Sequence, residues 1–229
     1  MQLPSKPLTG ESRPHGTPWS ILEVARRYEL LRCPRGEILI EQGEPVSYLH
    51  VIVGGVARVF CRHEQHEPLL ELARAPAVFG EVELLERVPF LVSVAALEPL
   101  EVRLIPAGEA LACLASLGAS ADQARRLAAR LREAARAQRR LSAGVEAGLA
   151  DLLLSLAEVF GQPLGPDLEI SNPLTQEELA RSLALVRRSV HGTLARWRRE
   201  GLISHRGRSI MVHDVARLQQ LAGTLRAAR

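Results

Sequence analysis

Between residues 37 and 104 short apolar runs alternate with turn signals. The run 38–40 precedes the turn 43–45, the run 49–53 precedes Gly54 and Gly55, and 56–60 enters a polar stretch, 63–67. Runs at 69–72, 78–79, 91–96 and 102–105 follow. Short runs rich in β-branched residues, spaced by roughly 8–12 residues and punctuated by Gly and Pro, predict the strands of a β-sandwich or β-barrel. Residues 19–28 are read as a short helix leading into it.

The pattern then changes. Residues 121–141 contain no Gly, Pro, Ser, Thr or β-branched residue, and set seven arginines among Ala and Leu. That composition predicts one long helix. Ala124, Leu127, Leu131, Ala134, Gln138, Leu141 and Val145 follow the 3-4 spacing of a coiled-coil seam. A narrow, Ala-rich stripe with Arg-crowded flanks suits a close helix–helix dimer better than packing on its own sandwich. Leu127, Leu131, Ala134, Gln138 and Leu141 are therefore the candidate dimer interface. Residues 148–160 are more fully apolar and predict a second, buried helix. Residues 161–173 read as a Gly/Pro-rich connection, before short helices and a final β-hairpin.

The chemistry concentrates in that last segment. Thr175, Gln176, Glu177 and Glu178 form a capping-box sequence that opens a helix reaching Leu183. Ala184, Leu185 and Val186 make a turn, and a second helix runs from Arg187 to about Glu200. Leu179, Leu183, Val190 and Leu194 supply the buried face, with small Ala180 and Ala184 where two helices cross. This is helix-turn-helix spacing, in which the second helix enters the major groove N-terminal end first. Arg187, Arg188, Ser189 and His191 lie on its first turns, where base edges are reached. Each arginine can donate two hydrogen bonds to guanine O6 and N7. Two alternating runs, 201–204 and 209–212, flank a basic turn containing Arg206, Gly207 and Arg208. They form a wing able to lie along a phosphate backbone. The candidate DNA-contacting set is Thr175, Gln176, Arg187, Arg188, Ser189, His191, Arg206 and Arg208.

Charge agrees with this placement. Residues 19–106 hold 9 arginines against 13 acids, whereas residues 172–229 hold 11 against 4. A basic C-terminal block beside an acidic one points to a polyanionic partner for the former alone. Apolar residues make up 47% of the 229 and aromatics 3%, so the cores are aliphatic. Cys33, Cys61 and Cys113 are odd in number and far apart, which excludes a disulfide framework and a zinc site and fits a reducing cytosol. No apolar run approaches the roughly 20 residues of a membrane span. No nucleophile–base pair, paired carboxylates, metal-ligand cluster or P-loop is visible, so neither an enzyme nor a cofactor is predicted. A nucleotide-gated enzyme component or a structural interaction protein would not explain the basic wing and the paired arginines.

These parts, in this order, resemble the CRP/FNR family, named for the cyclic-AMP receptor protein and the fumarate-nitrate regulator. The resemblance covers residues 21–212: Pro34, Arg35, Gly36 and Glu37; Glu41 to Pro45; Tyr48 to Phe60 around Gly54 and Gly55; Phe79, Gly80, Glu81 and Pro89; and 175–194 with the wing. It implies an α+β chain with an antiparallel, cyclic-nucleotide-binding-like β-roll, a long dimerisation helix and a C-terminal winged helix-turn-helix. The segments expected are a flexible tail (1–18), the β-roll sensor (19–117), the dimerisation helix (118–143) and the DNA-binding domain (144–229). It implies a homodimer on a near-palindromic duplex operator, activating transcription through contact with RNA polymerase.

The chain departs from the family in two places. Family members that bind cyclic nucleotides follow Phe-Gly-Glu with an Arg for the cyclic phosphate and a small Ser or Ala, where this chain aligns Phe90 and Leu91. The hydroxyl pair that reaches the base from the long helix is also missing. Only Glu81, the ribose position, survives as an effector-binding candidate, so an effector other than cyclic AMP, or none, is expected. The alternative is a cyclic-nucleotide response through a non-standard pocket involving Arg87. An N-terminal cysteine cluster for iron–sulfur is absent. Of the sensor domain's candidate haem ligands, His50, His63 and His66, the last two fall in a polar stretch that reads as a hairpin tip and are taken as surface histidines. On the recognition helix, Val186 replaces the usual Ser or Thr cap, Arg188 the usual Glu, and Gly192 the second Arg. The preferred half-site should differ accordingly.

Overall fold

The computed structural model describes residues 21–62, 66–117, 121–171, 174–207 and 209–223. The expected tail, 1–18, lies outside them, as do His63 and Arg208. The chain divides into two compact units, one of residues 1–59 with 73–129 and one of 60–72 with 130–229.

Helix α1 (Ile21–Ala25) leads into two four-stranded sheets. One has β1 (Leu31–Cys33), β8 (Leu100–Pro106), β3 (Tyr48–Gly54) and β6 (Ala77–Phe79) in that spatial order, with antiparallel pairs throughout. The other orders β2 (Ile38–Ile40), β7 (Ser93–Ala96), β4 (Val56–Phe60) and β5 (Leu69–Arg74). The period-2 alternation of a strand sorts its side chains between two cores. On β3, Ile52 joins Phe79, Phe90, Val94, Leu100, Val102 and Leu104 in one core, which draws on both sheets. Leu49 and Val51 instead meet Ile21, Val24, Tyr28, Leu84, Ile105 and Ala110 in a second, which packs helices on a sheet. Those helices are α1, α2 (Glu81–Glu86) and α3 (Ala107–Leu117). Gly55 between β3 and β4 sits at φ +87°, and a Cβ there would lie 2.3 Å from the Pro99 carbonyl oxygen. Only glycine fits that turn.

The second unit contains α5 (Gly144–Phe160), α6 (Gln176–Ser182), α7 (Arg187–Arg199) and α8 (Val215–Ala222). Its sheet orders β11 (Ile203–Arg206), β12 (Ser209–Val212), β10 (Asp167–Ser171) and β9 (Gly161–Leu164). The stretch expected to be a plain connection is thus a hairpin that extends the wing sheet, with Ile170 paired to Ile210. Pro163 disguises it, yet β9 is an edge strand, where the missing N–H leaves no ladder bond unmade. The hydrophobic pattern does not announce helices α2, α3 and α8 or strand β1. They are short, or carry too few polar residues to mark one face.

Helix α4 (Ala121–Ser142) runs through the boundary between the units. From Arg130 onward its inner face is held by charge. Asp151 of α5 is fully buried, and its Oδ1 accepts from Arg136 Nη2 at 2.9 Å while Oδ2 accepts from Arg140 Nε at 2.9 Å. Arg140 also donates to the Leu69 carbonyl at 3.4 Å. Burial alone would raise the Asp151 carboxyl, but the Arg136 hydrogen bonds and the Arg140 charge hold it below its ordinary range. Burial shifts the Arg140 guanidinium down despite Asp151.

Candidate nucleic-acid interface

Helix α6 starts as its sequence dictates. The Thr175 hydroxyl accepts from the Glu178 amide at 3.2 Å, and the Glu178 carboxylate accepts from the Thr175 amide at 2.7 Å. Two amides that would otherwise go unbonded at the helix start are satisfied reciprocally. Leu179, Ala180, Leu183, Val190, Leu194 and Trp197 are buried, which locks α6 on α7. The Trp197 indole donates to Glu146 at 3.0 Å. The turn between the helices puts Ala184 at φ 51°, a left-handed conformation that glycine adopts more readily. The Leu185 amide closes it on the Ala180 carbonyl at 2.9 Å.

Helix α7 begins at Arg187, capped by the backbone of Val186 with no side-chain hydrogen bond. Val186 itself is 64% exposed. Arg187, Arg188 and His191 are exposed and Ser189 is half-buried, so four predicted residues share the opening turns of one helix. Gln176 at the start of α6 reaches His191, Oε1 to Nδ1, at 3.1 Å. That bond ties two of the predicted side chains across the motif. Arg206 is exposed at the end of β11, beside Gly207 at φ +62°. The remaining member of the set, Arg208, lies outside the described residues.

The arginines of this unit divide by partner. Arg181 is 4.0 Å from Glu67, Arg196 is 2.8 Å from Glu146, and Arg217 pairs with Glu200. Arg187, Arg188 and Arg206 have no such acid among the described residues. His205 is pushed below its ordinary range by burial and then by the charge of Arg198.

In the β-roll, Phe90 is buried in the core between the sheets, whereas Leu91 is 58% exposed. The His50 ring meets the Phe90 ring edge-on, with centroids 5.6 Å apart. Burial lowers His50 to about 4, so it is neutral near pH 7. A cyclic phosphate needs a cation or several donors. The edge of a phenyl ring beside a neutral imidazole supplies no cation. Glu81 is buried at the start of α2. Cys33 is pushed up to about 11 and Cys61 also upward, both by burial, which disfavours their thiolates. Among the described residues no group of three potential ligands could hold a metal, and no helix is long and apolar enough to cross a membrane.

Comparison with known proteins agrees with this arrangement. A family model described as a cyclic nucleotide-binding domain matches residues 30–116, and one described as a Crp-like helix-turn-helix domain matches residues 149–221. The chain belongs to the CRP/FNR family. A CRP-like cAMP-activated global transcriptional regulator of Mycobacterium tuberculosis is 28% identical over 211 residues, which cover 90% of this chain and 93% of that protein. The crystal structure of a CRP-family transcriptional regulator from Thermus thermophilus matches with a TM-score of 0.69 at 28% identity, over 86% of this chain and all of that one. A second CRP/FNR regulator from the same organism gives 0.64 at 22% identity, over 85% and 98%. This CRP/FNR chain is therefore a transcription regulator with a DNA-binding helix-turn-helix, and not an enzyme. Its two-sheet N-terminal unit and winged C-terminal unit realise the α+β fold expected of the family.

Proposed function

We propose that the protein acts as a homodimer, joined along α4, that reads a near-palindromic duplex operator and activates transcription through contact with RNA polymerase. The observation that carries the dimer is the outer face of α4. Leu127 is 38% exposed, Leu131 72% and Leu141 41%, with Ala134 and Gln138 exposed between them. On the same helix Ala137 and Arg140 are buried. A 3-4 apolar stripe that its own chain leaves uncovered is what a second copy of α4 would bury.

The DNA-reading surface is Arg187, Arg188, Ser189 and His191 on α7, braced by Thr175 and Gln176, with Arg206 and Arg208 on the wing for phosphate. The effector is not cyclic AMP: Phe90 and Leu91 stand where the family's phosphate ligands lie, and Glu81 alone keeps its place. The competing reading, a cyclic-nucleotide response through a non-standard pocket, draws support from the M. tuberculosis relative, which is described as cAMP-activated. One titration series separates them. Purified protein should sediment at twice the chain mass and shift duplex DNA in a salt-dependent manner, and cyclic AMP and cyclic GMP should give no heat of binding. A monomer indifferent to all duplex DNA would end the first reading, and low-micromolar cyclic-nucleotide affinity would establish the second.

A further inference from the structure

The first unit carries a groove of about 580 Å³ whose charged lining is Glu83 and Arg87 rather than the motif's missing phosphate ligands. It is lined by Pro45, Val46, Leu84, Val88, Pro89 and Leu111, with Glu83 and Arg87 as its charged members. Leu84 belongs to the core beneath the helices, whereas Phe90 belongs to the core between the sheets. The groove opens on the helical side, next to the position of the missing phosphate ligands: Pro89 and Gly43 line it, and the Gly43 amide donates to the Phe90 carbonyl at 2.8 Å. Its volume lies within the roughly 300–1,000 Å³ typical of small-molecule sites.

Arg87 marks what it would hold. This residue ends α2 in the left-handed conformation, at φ 55°, with its amide bonded to the Glu83 carbonyl. Glycine takes that helix-ending conformation without strain. An arginine stands there instead, exposed and without an ion pair among the described residues. Strain of this kind gathers at functional sites. Glu83 lies four residues before it on the same wall and repels a second negative charge. The lining residues include no aromatic ring on which a base could stack.

We propose that this groove is the effector site and takes a small amphiphile, an aliphatic chain with a singly charged anionic head bound by Arg87. The chain would lie along Val46, Leu84, Val88 and Leu111. Helix α3, which supplies Leu111, ends at Leu117, and α4 begins four residues later at Ala121. Occupancy of the groove can thus bias the proposed dimer helix. The effector role rests on the regulator reading above; the binding site itself does not.

Decanoate is a suitable probe, with decanol as its uncharged counterpart, measured by calorimetry on the full-length protein. Decanoate should bind and decanol should bind about tenfold or more weakly, the loss expected for one charge-assisted hydrogen bond. Arg87→Gly should remove that difference while leaving the melting temperature unchanged or raised, since it relieves strain. Val88→Glu, which puts a carboxylate where the chain lies, should weaken both, decanoate more than decanol. Operator affinity should respond to decanoate in the parent and not in Arg87→Gly. Equal binding of acid and alcohol, or no binding of either, overturns the site. Decanoate binding that leaves operator affinity unchanged overturns the effector role. Failure to bind duplex DNA under any condition indicts the regulator reading and leaves the calorimetry standing.

Discussion

Two sets of arginines in the second unit do opposite work. Arg136 and Arg140 point into the protein and share one buried carboxylate, Asp151. Arg187, Arg188 and Arg206 point out and have no acid within reach among the described residues. A charge taken out of water requires a partner at hydrogen-bond distance, whereas a charge left in water remains available for a phosphate or a base edge. The inner set fixes how α4 joins α5. The outer set is the surface proposed above for DNA. Their difference can be tested by removing each kind of contact in turn.

The largest effect is expected at the inner set. Asp151→Ala leaves two guanidinium groups beside an apolar cavity, and removing one partner of a buried ion pair costs about 3–5 kcal/mol. Chemical denaturation should show a loss of that order, and α4 should lose its protection from hydrogen exchange before the β-roll does. Asp151→Leu, which restores volume without charge, should still leave Arg140 unpaired and stay well below the parent. The same carboxylate sets an acid limit. Its folded pKa is depressed, so its contribution is fully present above the unfolded value of about 4 and is lost as pH falls through the folded value. A stability–pH profile of Asp151→Asn should be flatter than the parent's on the acid side alone. An equal acid slope in the two proteins would show that Asp151 is not the group responsible.

The inner set also marks where sequence reading stops. The outer arginines are legible because a capping box, a small-residue turn and a helix start place them by spacing alone. The seam of α4 is legible for the same reason: Leu127, Leu131, Ala134, Gln138 and Leu141 recur at helical period and all prove exposed. Asp151 is not, because it stands among leucines in a helix that reads as buried throughout, and nothing local says that two arginines 11 and 15 residues earlier converge on it. The hairpin of β9 and β10 is hidden by Pro163 and by strands too short to show alternation. Phe90 lies between these cases: its place in the motif identifies the missing phosphate ligand, but its burial against His50 needs the fold.

At the outer set the expected loss is smaller and takes a different form. Arg187→Ala should cost about 1–3 kcal/mol of specific DNA binding and relax the base preference at one position per half-site, as removal of a bidentate guanine contact does. Its unfolding free energy should remain within about 0.5 kcal/mol of the parent, because the side chain is exposed and meets no acid. Selection from a randomised operator library measures the first effect and urea unfolding the second. A stability loss comparable with that of Asp151→Ala would place Arg187 with the inner set.

The smallest effect should come from the wing. Arg206 is exposed on β11 beside Gly207, and in the proposed reading it meets phosphate rather than a base edge. Neutralising one phosphate contact reduces the slope of log affinity against log salt by about 0.9 per site. Arg206→Ala should therefore weaken all sequences almost equally, flatten that slope by about one unit per half-site, and leave the selected operator sequence unchanged. Arg208→Ala should do the same if the two flank the wing turn as their spacing indicates. Titrations at two salt concentrations, run on the selected operator and on a scrambled duplex, measure both quantities. If Arg206→Ala changed the selected sequence while Arg187→Ala preserved it, the wing rather than α7 would be reading bases, and the assignment of the outer arginines would have to be exchanged.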